Sequence, residues 1–218
     1  DGFGDLSDLD NFTRYEKAIG AAEKKLNIKP QVIVCDLHPD YFSTQFAGNY
    51  TLSAIRYPLF QAQHHEAHVA SAIIDNDIKG DVLGVAFDGT GYGLDGNIWG
   101  GEFFTGNARG FKRVAQLEYI PMPGGEACVR EPWRMAASYL YAAFGENFLK
   151  LKIDIVKSID RKRWAVLKGM IDKNINSPLT SSMGRFFDAA GSMILNKEKA
   201  NFEAELPIEL EKIAAIGI

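Results

Sequence analysis

The chain has 218 residues, of which 46% are hydrophobic and 24% charged, enough apolar residues to fill one large core or two small ones. The formal net charge is −4 and the lysines and arginines are scattered, so the chain lacks the electrostatic footprint of a nucleic-acid binder. No apolar run approaches the roughly 18–20 residues of a membrane span and no signal peptide opens the chain, so a cytoplasmic protein with neither membrane nor nucleic-acid partner is expected. Cys35 and Cys128 are too few and too far apart for a disulfide framework, and free thiols in a reducing compartment are expected. Both ends look cut, so a piece of a longer protein is expected.

In chain order, Phe12, Tyr15, Ile19, Ala22 and Leu26 recur at spacings of three and four, predicting an amphipathic helix over Asp10 to Leu26. Gln31 to Cys35 reads as a short strand of the kind buried in a parallel sheet. Asp36-Leu37-His38-Pro39-Asp40 follows at the strand's C-terminal end, where α/β sheets place ligand loops. Asp36 and His38 are candidates there; the alternative is a turn, with Asp40 capping a helix from Tyr41. A further strand is read over Tyr50 to Tyr57, and a helix over Ala62 to Ile74.

That helix carries Gln63-His64-His65-Glu66-Ala67-His68, three of the chain's four histidines. His64 and His68 are four apart, so helical geometry projects both rings from one face, one turn apart. Two imidazoles so placed can share one cation. This is not the metalloprotease motif, which needs Glu directly after the first His. His65 points off the shared face and is expected to be solvated or to support a ligand from behind.

Asp81 to Phe87 is a strand, and Asp88 at its end can complete the cation site. Asp88-Gly89-Thr90-Gly91-Tyr92-Gly93 reads as a tight Gly-rich turn into a second strand, Ile98 to Phe104, making a hairpin. Glycines there let backbone N–H groups approach an anion. A third strand spans Phe111 to Tyr119. Glu131-Pro132 opens a helix with Pro in its first turn. Arg130 and Arg134 flank that start, either as a clamp for a carboxylate or phosphate or as surface charges. Phe148 to Ile171 is basic and reads as a solvated face on two short helices. Helices are expected at Phe186 to Leu195 and Glu203 to Ile213.

Seven segments now stand in order: Asp36 to Tyr41, Gln63 to Ser71, Gly84 to Gly93, Ile98 to Phe103, Pro121 to Gly125, Arg130 to Ala136 and Thr180 to Ala189. Together they resemble the carbamoyltransferase domain of HypF, the NiFe-hydrogenase maturation protein, over nearly the whole chain. The resemblance implies an α/β fold of the actin-like ATPase class, a mixed sheet with flanking helices, incomplete at both ends. Residues 1–130 would be a first lobe carrying the metal motif, and 131–218 a mainly helical segment beginning the second lobe. It implies transfer of a carbamoyl group from carbamoyl-adenylate, made from ATP in an upstream YrdC-like domain, to the C-terminal cysteine of a HypE-like acceptor.

Carried over by position, His64, His68 and Asp88 match the family's ligands for a divalent metal, iron or zinc. Gly89, Thr90 and Gly91, with Asp88, would line the phosphate side. Gly184 and Asp188 match the segment that meets the nucleotide's ribose. Arg130 and Arg134 sit where a substrate-facing basic pair is implied. One segment departs: the family's Tyr-Glu-Gly-Gln turn reads Phe202-Glu203-Ala204-Glu205, where a Cβ and a negative charge would crowd a phosphate-bearing ligand. Residues 1–218 hold half of the implied cleft and are not expected to transfer carbamoyl groups alone. A non-catalytic relative kept for metal or partner binding is the alternative. A tRNA threonylcarbamoyl-transferase-like protein is a further one, disfavoured by the charge and by Trp99-Gly100-Gly101-Glu102-Phe103.

Overall fold

Helix α1, Leu9–Leu26, opens a computed structural model that describes residues 2–52 and 57–216. Asp8 caps the helix by accepting from the backbone N–H groups of Asp10 and Asn11, and Asn27 ends it at φ 50°. The chain forms two compact units, 1–67 and 68–218. The expected lobe division at 130/131 falls inside the second.

In the first unit, β1 (Ile33–Asp36) pairs in parallel with β2 (Leu59–Ala62), and α2 (Phe42–Leu52) connects them. The strand expected from Tyr50 does not form at residues 50–52, which close α2; residues 53–56 lie outside the described residues. Phe42, Phe46 and Tyr50 are four apart and share one helix face, and Phe42 and Phe46 meet Phe12 of α1 edge-on. Helical spacing of these rings overrides their β propensity. The expected burial of β1 does not hold either: register partners Val34 and Phe60 are both exposed.

Helix α3, His64–Asp75, begins in the first unit and continues into the second. Gln63 starts it, its Oε1 accepting from His65 N at 2.7 Å and Glu66 N at 3.1 Å, which satisfies two of the first turn's N–H groups. His65 is fully buried rather than solvated, beside the Gln63 amide.

The second unit is built on a mixed sheet of order β3-β4-β7-β6: β3 (Val82–Tyr92), β4 (Ile98–Asn107), β7 (Leu179–Thr180) and β6 (Ile120–Pro121). Strand β5 (Gly110–Gln116) also pairs with β4. Gly84 of β3 faces Val69 of α3; a Cβ there would stand 2.5 Å from a Val69 methyl, so helix and sheet close only on glycine. Val69, Ile73, Ala86, Trp99 and Phe104 fill the space between them.

Helices α4 (Ala127–Arg130), α5 (Trp133–Phe144), α6 (Asp154–Ser158), α7 (Arg161–Asp172), α8 (Met183–Leu195) and α9 (Glu205–Ile216) complete the unit. The basic stretch is more than a solvated face: Phe148, Ile155, Val156, Ile159, Trp164 and Leu167 bury against Trp133, Ala137 and Leu140 of α5. Helix α8 starts at Met183, three residues earlier than expected, because Ser182 caps it by accepting from Arg185 N at 3.1 Å.

Candidate metal centre

The Gly-rich segment after Phe87 is not a turn. Strand β3 runs on to Tyr92, and the hairpin reverses at Gly93 to Asn97. Phe87 pairs with Gly101 and Gly91 with Trp99, so Asp88, Gly89 and Thr90 oppose Gly100 alone. This three-against-one bulge lifts Asp88 out of the ladder. Gly100 permits it, since a Cβ there would stand 2.6 Å from the Asp88 carbonyl oxygen.

The hairpin end is locked by charge. Asp95 accepts from Tyr119 Oη, Asn97 N and Trp99 Nε1. Burial works to raise its pKa, but these hydrogen bonds outweigh it and hold it at about 2. Arg113 lies over the Trp99 ring at 3.8 Å and pairs with fully buried Glu102. Glu102 also accepts from Gly100 N, Gly101 N and Ser181 Oγ, which ties the residue before the α8 cap to the hairpin.

Three donors converge at the bulge. His64 and His68 lie one turn apart on α3, and His68 Nε2 is 3.7 Å from Asp88 Oδ2. Ligand atoms of His64, His68 and Asp88 all lie within 4.8 Å of one another. Two nitrogens and a carboxylate oxygen suit zinc or ferrous iron. Zinc binds at about 2.0–2.2 Å from such atoms, so the three would close on an ion by about an ångström through side-chain rotation. The other Asp88 oxygen accepts from Gly89 N at 2.6 Å, which fixes the carboxylate. His64 Nδ1 lies 2.7 Å from Asp36 Oδ2.

Gly184 and Gly89 meet directly, since a Cβ on Gly184 would stand 2.7 Å from Gly89 Cα. The Ser182 hydroxyl reaches the carbonyls of Gly89 at 2.7 Å and Asp88 at 3.0 Å. Helix α8 is thus stapled to the bulge at Asp88. Thr90 is exposed and turns its hydroxyl to the Gly89 carbonyl, while Gly91 is back in the ladder.

The remaining candidates lie in other settings. Asp188 is buried 3.1 Å from the Arg185 guanidinium, and burial pushes it up to about 6 against the pull of that cation. Arg130 is exposed and paired with Glu126, and Arg134 is half-buried and paired with Glu131. Among the described residues these glutamates are the ion-pair partners of Arg130 and Arg134. Ser182 and Glu102, which hold the bulge, carried no signal of that role in sequence beyond their place in two of the quoted segments.

Residues 84–217 match the family described as carbamoyltransferase, Kae1-like domain, second subdomain, and residues 1–75 match the HypF Kae1-like domain. The chain belongs to the HypF carbamoyltransferase family. It is 36% identical over 213 residues to carbamoyltransferase HypF2 of Cupriavidus necator, covering 97% of this chain and 25% of that protein. It is 34% identical to carbamoyltransferase HypF of Synechocystis sp. over 221 residues, covering 95% of this chain and 28% of the relative. The chain therefore spans about a quarter of the length of these curated relatives. A crystal structure of full-length HypF in the phosphate- and nucleotide-bound form superposes with a TM-score of 0.86 at 35% identity, covering 96% of this chain and 26% of that one. The mixed α/β fold is thus that of the Kae1-like domain. No helix among the described residues is long and apolar enough to cross a membrane.

Proposed function

We propose that this chain is the metal-bearing part of a carbamoyltransferase of the actin-like ATPase class. It would act in the cytoplasm, moving the carbamoyl group of carbamoyl-adenylate, delivered by an upstream YrdC-like domain, to the C-terminal cysteine thiolate of a HypE-like acceptor. The convergence of His64, His68 and Asp88 at a strand bulge carries this reading. A divalent metal, iron or zinc, held by these three side chains would supply Lewis acidity toward the carbonyl of the mixed anhydride. The residues around it have separate tasks. Asp88, Gly89, Thr90 and Gly91 would present the phosphate-side backbone. Gly184 lets α8 approach that backbone, and Asp188 and Arg185 anchor the helix behind it. A substrate-facing role for Arg130 and Arg134 gains no support from their Glu126 and Glu131 pairs.

A second reading is favoured by one observation. Ala204 sits at φ 64°, in the left-handed region, where the family's turn has Gly. Glu205, in place of Gln, is buried and already accepts from the backbone and side chain of Asn201. A relative that keeps the metal but has lost the nucleotide would look like this. Elemental analysis of the purified chain, with an ATP titration by calorimetry, separates the readings. Metal and ATP binding together support the transferase; metal without ATP supports the second; one equivalent of neither iron nor zinc overturns both.

A further inference from the structure

We infer that Asp36 is a positioning residue for the metal, holding His64 in the one tautomer and orientation that can bind it; this rests on the metal reading above. Asp36 ends β1, and both its oxygens are engaged within the first unit. Oδ1 accepts from His38 N at 2.8 Å, closing the turn after the strand, and Oδ2 lies 2.7 Å from His64 Nδ1. The Asp36 backbone is tied as well, its carbonyl accepting from Thr44 Oγ1 at 3.2 Å. The carboxylate is therefore fixed by strand, turn and helix α2 before it meets the imidazole.

An ionised carboxylate only accepts hydrogen bonds. At 2.7 Å it keeps the neutral ring's proton on Nδ1 and assigns Nε2 to the metal. The contact is half-buried on both sides, so water weakens it less than a surface pair. The Asp36-Leu37-His38-Pro39 segment is thereby a support for the ion rather than a ligand loop, with His38 Nδ1 itself accepting from Asp40 N.

The test measures zinc affinity of the 218-residue chain by competition with a chelating dye, for the parent, Asp36→Asn, His64→Ala and the double variant. The side-chain amide in Asp36→Asn would offer an N–H to Nδ1 and drive the ring proton to Nε2, so this variant is expected to bind zinc about 10–100-fold more weakly. In the His64→Ala background the same change is expected to matter less than about twofold, because it acts only through the imidazole. Nitrogen NMR of the metal-free parent, in mildly alkaline buffer, is expected to find the His64 proton on Nδ1. A proton on Nε2 overturns the inference without recourse to any variant. So does parent-like zinc affinity in Asp36→Asn, or an undiminished effect without His64. A parent that binds no zinc overturns the metal reading and this inference together; the other adverse results overturn this inference alone.

Discussion

Gly184 stands against Gly89 so closely that a Cβ would come within 2.7 Å of the Gly89 Cα. The obstacle is backbone, which cannot swing aside as a flexible side chain can. Gly184→Ala is therefore expected to cost about 1–3 kcal/mol, the usual range for overpacking. It should also weaken zinc binding, since the residue pushed away adjoins Asp88. Chemical denaturation and a zinc titration read the two effects separately. Parent-like values in both would show that α8 can withdraw from the bulge without consequence.

Ser182 joins the same two elements by hydrogen bonds. Its oxygen accepts from Arg185 N, and its proton serves the carbonyls of Gly89 and Asp88. Ser182→Ala removes a helix cap, a loss of about 1 kcal/mol. It also strips a partner from carbonyls in a half-buried place, a further cost of about 1 kcal/mol or more. A urea midpoint unchanged from the parent would mean that the staple contributes nothing.

Ala204 holds a left-handed conformation that costs an L-residue about 1–2 kcal/mol. Glycine removes that strain but adds about 0.5–1 kcal/mol of unfolded-chain entropy. Ala204→Gly is thus expected to raise stability by a few tenths to about 1 kcal/mol, seen as a higher melting temperature. If the second reading is right, Ala204→Gly combined with Glu205→Gln should also raise ATP affinity in calorimetry. An unchanged ATP titration with a raised melting temperature would assign the residue to strain alone.

Much of the site was legible because helical period is legible. The four-residue spacing of His64 and His68 needs only a helix, and the apolar residues after it supplied one. Asp88 was placed near the two histidines for a partly mistaken reason: it was read as the end of a strand, yet β3 continues past it. A bulge depends on the register of two strands, and register is a property of a pair that neither strand shows alone. The same limit hid β2, whose four residues have no alternation and gain meaning only beside β1. In the basic stretch, charges masked the apolar positions of Trp164 and Leu167 that α5 covers. Glu102 was noticed as part of a motif, but a buried charge satisfied by four donors becomes visible only when Ser181 and Arg113 arrive from distant segments.

Two acids should give the stability of the chain opposite slopes on either side of pH 4. Asp95 is held at about 2, below an unfolded value of about 3.9. Its contribution is present above that unfolded value and is lost as pH falls through 2. Asp188 is raised to about 6, so the native state holds its proton while the unfolded chain releases it. Its contribution is full below about 3.9 and is lost as pH rises to 6, the window in which the native state binds more protons than the unfolded one. Urea midpoints measured between pH 2 and 7 should therefore show an acid limb that Asp95→Asn flattens. A falling limb between pH 4 and 6 should be flattened by Asp188→Asn, whatever that variant does to absolute stability by leaving Arg185 to the more distant Glu203, 3.7 Å away, for its counter-charge. The two limbs report on different ends of the site, since Asp95 locks the hairpin beyond the bulge and Asp188 sits one helical turn behind Gly184. Persistence of the upper limb in Asp188→Asn would place that proton on another group and leave Arg185 and Asp188 as an ordinary ion pair.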